Sequence, residues 1–491
     1  MILLISGTGS TVPFLCYNSV VMSNEQRYGN TSQNPLGSAP LIPLIAAYAI
    51  PSVISMLVGA AYNITDQIFI GHVVGMLGNA ATNVAFPTVT LTTGISMLFG
   101  IGTAANFSIN LGAGDEEEAR KYVHTGIAGV IIAGIVTGIL VFLLREQIVV
   151  LCGASADGNV FPYAVSYLSI TAFGLPFQMF THTSSTIIRA DGSPRYSMMC
   201  TVTGAVINVG LDWLFMYPLG MGIRGAALAT VTAQIISFCI AARYYPHFRA
   251  FSISIRDLRV SKLHLKGNME AGIPNFCNHM LMMMTNIVLN NMLSTYGAMS
   301  VYGADIPLAV SGVAQKTSMI MVSFAVGIAQ GCQPVWGFNL GAGKYDRVKG
   351  AYWRAFTAAF MIGVIFFFAF QFFPRQIISI FGTGSDLYYE FAEKYLRIFM
   401  MLVFFQNIQP VSINYFSATG NHRQGLLVSL SRQGLFLIPL LIILPKFMGI
   451  SGILAASPIS DTLAFIMSVS MVLLSFRQFG KGDHTQNERR I

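Results

Sequence analysis

Long apolar runs follow one another along the chain from residue 41 to residue 475. A helix needs about 20 apolar residues to cross the hydrocarbon core of a bilayer, and more if it is tilted. Twelve runs meet this requirement, and we number them spans one to twelve: 41–70, 78–111, 117–144, 159–189, 196–217, 222–244, 270–293, 307–341, 346–373, 387–418, 424–445 and 449–475. The pattern predicts an all-α integral membrane protein with twelve transmembrane helices.

The longest polar interruption lies between spans six and seven and reads RAFSISIRDLRVSKLHLKGNME. We therefore expect a polar, disordered N-terminal segment at 1–39, a first six-helix lobe at 40–245, a cytoplasmic linker at 246–268, a second six-helix lobe at 269–476 and a cytoplasmic tail at 477–491. The first 21 residues lack the basic start of a signal peptide. We expect either that translation begins at Met22 or that these 21 residues are disordered.

Short motifs recur in the two groups of six spans. NLGAG ends span two at 110–114 and span eight at 339–343, RADGSPR (189–195) corresponds to SATGNHR (417–423), and MGIRG (221–225) corresponds to MGISG (448–452). Because each group has six spans, both keep the same orientation in the membrane. This is a parallel repeat about an axis along the membrane normal, which is typical of transporters that bind their ligand between the halves. The pattern predicts two pseudo-symmetric lobes.

The composition excludes a soluble protein. Only 10% of the 491 residues are charged, 54% are hydrophobic and the mean hydropathy is +0.62, whereas soluble proteins carry about 25% charged residues. The net charge of +8 comes largely from Lys and Arg in alternate loops, the linker and the tail. By the positive-inside rule, we expect both termini and the linker to be cytoplasmic. We expect the chain to be a multi-pass protein of the plasma (inner) membrane.

Two other classes of site are not indicated. The sequence has no basic stripe with interleaved aromatic residues, so no nucleic-acid partner is expected. The six cysteines are scattered without a CxxC pair, and they indicate neither a metal site nor a disulfide framework.

Three acidic residues lie deep in predicted spans: Asp66 in span one, Asp212 in span five and Asp461 in span twelve. A charge at a helix centre in the membrane costs roughly 2.5–3.5 kcal/mol and is a functional hypothesis by default. Asn208 precedes Asp212 by four residues, so both face one side of the helix, and Thr230 of span six adds a hydroxyl. Such oxygens suit a shared proton or a hard monovalent cation. The alternative for each acid is a buried carboxyl satisfied by neighbouring hydroxyls and amides.

Other polar residues in the spans extend this set. Tyr62 lies four residues before Asp66 on the same helix face, and Lys316 is the basic residue deep in span eight. Lys316 indicates a wet cavity wall, although a lysine paired with backbone carbonyls is the alternative. We expect the same wall to include further polar side chains of the second half: Gln330, Gln333, Gln406 and Asn407.

Methionine and proline complete the candidates. Met283 lies in HMLMMMTN (279–286), a run that offers either an adaptable apolar surface for varied ligands or ordinary core filling. Pro51 in span one and Pro274 in span seven are candidate hinges, because proline frees a backbone carbonyl inside a helix.

Enzyme signatures are absent from the sequence. There is no GxSxG, no P-loop lysine motif, no HExxH and no paired CxxC. Without a nucleotide site, transport has to be driven by an ion gradient. We therefore expect a non-enzymatic transporter that uses no cofactor.

Several stretches resemble the multidrug and toxic compound extrusion (MATE) family, and its DinF-like prokaryotic branch in particular. They are YNITDQIFIG (62–71), GTAANFSINLGAGDEEEARK (102–121), IIRADGSPRYSM (187–198), INVGLDWLFMYPLGMGIRGAALAT (207–230) and QGCQPVWGFNLGAGKYDRVK (330–349). GVAQKTS (312–318) is typical of the DinF-like branch. The resemblance covers roughly residues 40–476.

The resemblance implies two six-helix lobes around a central cavity, and export of organic cations or other drug-like molecules in exchange for H⁺ or Na⁺. In DinF-like members a span-one Asp, a span-five Asn and Asp, and a span-six Thr form the ion or proton site. These correspond to Asp66, Asn208, Asp212 and Thr230. We expect a monomer in the lipid bilayer with a small-molecule substrate. The sequence leaves H⁺ or Na⁺ open.

Two rival functions follow from the same patterns. A lipid-precursor flippase of the same wider superfamily is the first, although Lys316 alone is little basic charge for such a cavity. A membrane-embedded enzyme or a channel is the second. An enzyme needs converging nucleophile and base residues, and a channel usually needs charged rings or symmetric subunits. The deep acids concentrate in one half, which favours a coupled transporter.

Overall fold

The computed structural model of the chain describes residues 34–253, 258–380 and 384–487, with side chains as far as residue 479. Within these ranges it contains helices and turns and no β-strand. The expected start at Met22 and the expected disorder of residues 1–21 lie outside the described residues.

Within the described ranges, twelve long helical segments follow the predicted spans. They are α1 Leu41–Val73, α2 Met76–Ala113, α3 Glu116–Leu143, α4 Phe161–Ala190, α5 Pro194–Met216, α6 Gly222–Tyr244, α7 Lys262–Ala298, α8 Asp305–Gly341, α9 Tyr345–Phe372, α10 386–418, α11 His422–Met448 and α12 Ile450–Asn487. The predicted all-α fold is confirmed. Short helices lie at Pro35–Ser38, Arg145–Leu151, Tyr245–His247 and Pro374–Ser379.

Most of these helices are apolar enough to cross a membrane. Among the described residues nine qualify by length and composition, or ten if the two bent pieces of α10 form one span. The remaining two, α4 and α7, are long but more polar. In α4 all five hydroxyl-bearing residues in THTSST (181–186) are buried, so neighbouring helices shield them from lipid.

Two helices of the second half are irregular. In α10, a π-helical turn at Tyr395–Phe399 precedes a 53° bend between Phe399 and Val403. In α11, residues Ser431–Leu437 form a second π-helical segment. By contrast, α1 and α7 continue through Pro51 and Pro274, so the sharp bend lies elsewhere than at the two predicted hinges.

In the part of the chain that the structure describes, the two halves share a core at one end of the bundle only. We call this the linker end, because residues 245–253 pack there. The shared core includes Phe107 of the first half and Trp336 of the second, both fully buried. At the opposite end there are two separate cores, one built from residues between 70 and 227 and the other from residues between 289 and 456. The halves are therefore joined at the linker end.

Glycine allows the close backbone contacts at this junction. Gly272 of α7 lies against the backbone of α2 at Leu98, and Gly331 of α8 lies against α1, where a methyl group on Gly331 would be 2.6 Å from Ala49 Cα. A larger side chain at either glycine would separate the helices. The junction thus depends on small residues.

Polar contacts fix the linker to the first half. Asp191, in the turn between α4 and α5, is buried and accepts hydrogen bonds from Arg249 N (2.7 Å), Ala250 N (3.0 Å) and Tyr244 Oη (2.7 Å). Burial raises the pKa of the Asp191 carboxyl to about 7, and the three hydrogen bonds act in the opposite direction.

The beginning of the described chain is held by the second half. The short helix Pro35–Ser38 lies beside the turn between α8 and α9. Lys344 Nζ donates to Gly37 O at 2.9 Å, and Arg347 Nη2 donates to Ala39 O at 2.7 Å. Residues 34–39, which the sequence predicted as part of a disordered segment, are therefore held by hydrogen bonds in this structure.

Candidate ion-coupling site

Asp66 and Asp212 lie side by side where α1 packs against α5. Both helices begin at the linker end and both acids lie past the middle, towards the opposite end. Asp212 is completely buried and Asp66 is 7% exposed. The two carboxyl groups are within hydrogen-bonding reach of each other. The structure thus brings together two acids that are separated by 146 positions in the sequence.

Asn208 and Thr230 complete the group. The Asn208 amide lies between Asp212, one turn further along α5, and Thr230 of α6. In one orientation its nitrogen donates to Thr230 Oγ1 at 3.4 Å. In the other it donates to Asp212 Oδ2 at 2.9 Å while its oxygen accepts from Thr230 N at 3.2 Å. We adopt the second orientation because it satisfies both ends of the amide.

Two tyrosines line the same group. Tyr62 of α1 and Tyr167 of α4 both point their hydroxyls towards Thr230, and both interact with the two carboxyl groups. Tyr62 was predicted because it shares a helix face with Asp66. Tyr167 was missed, because periodicity within one helix does not show which helix lies opposite the acids.

The arrangement suits a small cation or a proton. Asp66 Oδ1 and Asp212 Oδ1 are buried and make no hydrogen bond in the described part of the chain. Two carboxylates this close in a low-dielectric setting cannot both stay charged without a proton or cation between them. The described residues contain no cluster of three or more His, Cys, Asp or Glu side chains that would hold a transition metal. The donor oxygens fit H⁺ or Na⁺.

The other charged candidates lie apart from this group. Asp461 of α12 is buried in the second half, where it accepts a hydrogen bond from Arg432 Nε at 2.6 Å and another from Ser457 Oγ at 3.3 Å. The pairing of Arg432 with Asp461 was not predicted: the sequence analysis counted Arg432 among the loop charges, and contacts between two helices are not visible in the sequence. Lys316 of α8 is exposed and makes no ion pair among the described residues.

The predicted cavity residues have different surroundings. Gln330 and Gln333 are buried between the halves, where Gln330 Oε1 accepts from Arg189 Nη2 at 3.1 Å and Gln333 Nε2 donates to Ile101 O at 2.9 Å. In this conformation they belong to the closed junction and do not line open space. Asn407 is also buried, and its Nδ2 donates to Ala359 O at 3.4 Å. The two remaining candidates are half-buried: Gln406 and Met283.

Comparison with known proteins identifies the family. The MatE family model matches residues 51–214 and 280–443, one match in each half. The multidrug export protein MepA of Staphylococcus aureus is 24% identical over 437 residues, which cover 89% of this chain and 94% of MepA.

Solved structures give the same result. The MATE multidrug transporter DinF-BH is 31% identical, with a TM-score of 0.81 over 89% of this chain and 96% of that one. A MOP superfamily transporter from Pyrococcus furiosus is 22% identical with a TM-score of 0.84, over 91% of this chain and 98% of that one, and supports the fold. MATE multidrug transporters are not enzymes, so the prediction of a non-enzymatic protein is confirmed. Because the family model matches most of the chain in two repeated segments, the chain belongs to the MatE family.

Proposed function

We propose that this protein is a secondary active multidrug exporter that expels organic cations or other amphipathic drugs in exchange for H⁺ or Na⁺. The observation that carries the proposal is the buried pair Asp66–Asp212, in which each carboxyl keeps one oxygen without a hydrogen bond. A pair of this kind gains or loses a cation at a cost that depends on solvent access. It therefore links the ion to the conformation of the surrounding helices.

Helix α1 offers the physical connection between the ion and the junction of the halves. It carries Asp66 and, 13 residues nearer the linker end, Val53, whose Cα lies 2.6 Å from where a methyl group on Gly327 of α8 would stand. Thirteen helical residues span about 20 Å. A change in charge at Asp66 that moves α1 would therefore shift the packing between the halves. This is the coupling that an exchanger needs.

The distribution of loop charges supports an orientation of the protein in the membrane. The linker end carries most of the Lys and Arg residues of the loops, so we expect it to face the cytoplasm in the plasma (inner) membrane, with both termini on that side. The halves are joined at the linker end and have separate cores at the opposite end. With the linker end in the cytoplasm, this corresponds to an outward-facing state. Substrate is then released outward while the ion enters the acid pair. We expect the exporter to work as a monomer.

Transport in proteoliposomes with ΔpH and ΔNa⁺ imposed separately tests this function. We expect uptake of ethidium against its gradient under one of the two conditions and not when both gradients are absent. An uncoupler that abolishes ΔpH, or an ionophore that abolishes ΔNa⁺, should stop the active condition. Uptake that is indifferent to both gradients would rule out ion-driven export.

A further inference from the structure

The second half contains its own buried acid, and this acid differs from the pair in the first half in one respect. Asp461 is 1% exposed, and both of its oxygens have hydrogen-bond partners: Arg432 Nε at 2.6 Å on Oδ1 and Ser457 Oγ at 3.3 Å on Oδ2. Asp66 and Asp212 each keep a buried oxygen without such a partner. The acid of the second half is already neutralised by the chain itself.

The repeat shows that the two acid groups use corresponding helices. The motif MGIRG (221–225) corresponds to MGISG (448–452), and this correspondence places Ser457 of α12 at the position of Thr230 in α6. Ser457 donates to Asp461, while Thr230 adjoins the Asn208 amide beside Asp212. In each half, a hydroxyl at the equivalent position of the repeat therefore lies next to the residues around a buried acid.

Among the described residues, the second half has an ion pair between α11 and α12, whereas the corresponding contact between α5 and α6 in the first half has none. RADGSPR (189–195) and SATGNHR (417–423) place Gly204 at the position of Arg432. In the first half Gly204 lies directly against Ser237 of α6, so the two helices touch without a charge between them. In the second half the same crossing holds the Arg432–Asp461 ion pair. The arginine is an addition particular to this half.

Backbone irregularity accompanies the pair. Arg432 belongs to the π-helical segment Ser431–Leu437, and its carbonyl oxygen accepts a hydrogen bond from Ser460 Oγ at 2.8 Å. Single π-helical turns occur frequently at functional sites. Here the segment leaves the Arg432 carbonyl to a partner on α12, so the arginine is attached to α12 through both its backbone and its side chain.

From these contacts we infer that Arg432 is a built-in cation: its guanidinium holds the place on Asp461 that a coupling ion takes on the acids of the first half. This inference rests on the proposed function, because it compares Arg432 with the coupling ion of an exchanger. Ion exchange is then confined to the first half, while the charge of the second half stays constant through the transport cycle. Asp461 is then a fixed counter-ion of Arg432 and is not an exchange site.

Chemical rescue tests this inference without relying on transport. Arg432→Ala leaves Asp461 buried with no cation, and we expect a lower Tm for the purified protein. Guanidinium chloride, at concentrations far below those that denature, should restore the Tm in a saturable manner, whereas urea at the same concentrations should not. Arg432→Ala with Asp461→Asn is the matched control, because it has the same loss of side-chain volume without the buried charge. We expect its Tm to be insensitive to guanidinium.

Rescue of the single variant but not of the double variant supports the built-in cation. If Arg432→Ala cannot be purified while the double variant can, the unpaired charge of Asp461 is the cause, which also supports it. If the double variant is as unstable as the single one, the arginine acts through packing and the inference is wrong. A wild-type Tm for Arg432→Ala without guanidinium would overturn it as well. Because these readouts are melting temperatures, they are independent of whether the protein exports drugs.

Discussion

At the scale of single residues, the charged group that a buried acid faces decides what the acid can do. Asp66 and Asp212 face each other, so we expect the pair to hold either a proton or a cation. Asp461 faces an arginine, so its charge is balanced within the protein. The sequence predicted all three acids as candidates. The family resemblance included Asp66 and Asp212 in the ion site and left Asp461 outside it, but it did not predict the partner of Asp461. The partner of each lies on another helix, and helix periodicity carries no information about such contacts.

Neutral replacements of the acid pair should separate folding from coupling. Asp66→Asn and Asp212→Asn keep the shape of the side chain but fix it without charge. We expect both variants to fold and to bind substrate, with gradient-driven export reduced at least about tenfold, which corresponds to about 1.4 kcal/mol. Asn208→Ala and Thr230→Ala remove one neutral ligand each and should cost less. Export under ΔpH and under ΔNa⁺ is the measurement.

The repeat provides controls for these variants. AIP (49–51) corresponds to GIP (272–274), which places Leu289 at the position of Asp66, and RADGSPR and SATGNHR place Leu440 at the position of Asp212. We expect Leu289→Ala and Leu440→Ala to lower stability but to leave coupling intact. Wild-type export by Asp66→Asn under both gradients would mean that the carboxyl has a structural role only.

Tyr167 should also contribute to the ion site, because its hydroxyl lies near Thr230 and both carboxyl groups. Tyr167→Phe removes one polar contact worth about 1 kcal/mol, so we expect roughly a fivefold weaker dependence of export on the coupling ion. Tyr163→Phe, one turn earlier on α4 and 37% exposed, is the matched control. Equal effects of the two changes would exclude a specific role for Tyr167.

At the scale of helices, the apolar pattern predicts where each span lies but not how it is built. The predicted limits of span two, 78–111, correspond closely to Met76–Ala113. Span seven, predicted at 270–293, is the much longer helix Lys262–Ala298, because its polar first turns pack against α2 and α3 and so need no apolar character. The π-helical segments were not predictable, since they arise from tertiary contacts such as that between Ser460 and the Arg432 carbonyl.

The glycines at the junction should control closure of the linker end. In Gly331→Val the new side chain would collide with the backbone of α1 at Ala49. Overpacking of about 1–3 kcal/mol would shift the closed population by about 5- to 150-fold. We expect faster maleimide labelling of Cys332, which is fully buried in this conformation, in a background with the other cysteines replaced. Gly312→Val on the same helix has no atom near its new side chain and should label like the parent.

The linker contact of Asp191 should depend on pH. The native carboxyl, with a pKa raised to about 7, binds its proton more tightly than the unfolded one near 4. The stability it contributes is therefore fully present below about pH 4 and is lost as the pH rises to 7. We expect the Tm of the wild type to fall over this interval more than that of Asp191→Asn, which cannot titrate. Parallel curves for the two proteins would show that Asp191 does not change its protonation on unfolding.

At the scale of the whole molecule, the two halves form one core at the linker end and separate cores at the other end. The sequence predicted the repeat through NLGAG and its companions, but it did not predict which ends meet. Gln330 and Gln333 illustrate the difference. Their polarity indicated a wet cavity, whereas the structure uses them to join the halves in this conformation. Polar side chains serve either purpose, and only the positions of their partners distinguish the two.

The orientation in the membrane can be tested at both ends of the bundle. Ser252 is exposed in the linker, and Val301 is 78% exposed between α7 and α8 at the opposite end. If the linker end is cytoplasmic, Ser252→Cys should resist an impermeant maleimide in intact cells, and Val301→Cys should react with it. Labelling of Ser252→Cys in intact cells, with protection of Val301→Cys, would reverse the orientation.

The hydrogen bonds from Lys344 and Arg347 to the short helix Pro35–Ser38 have a consequence for biosynthesis. These contacts join positions that lie 307 and 308 residues apart. At a synthesis rate of about 5–20 residues per second, Lys344 and Arg347 are synthesised about 15–60 s after the helix Pro35–Ser38. During that time we expect the segment Pro35–Ser38 to be accessible to proteases and chaperones. It becomes protected only when α8 and α9 have been inserted, so protease resistance of this segment would report that the second half has assembled.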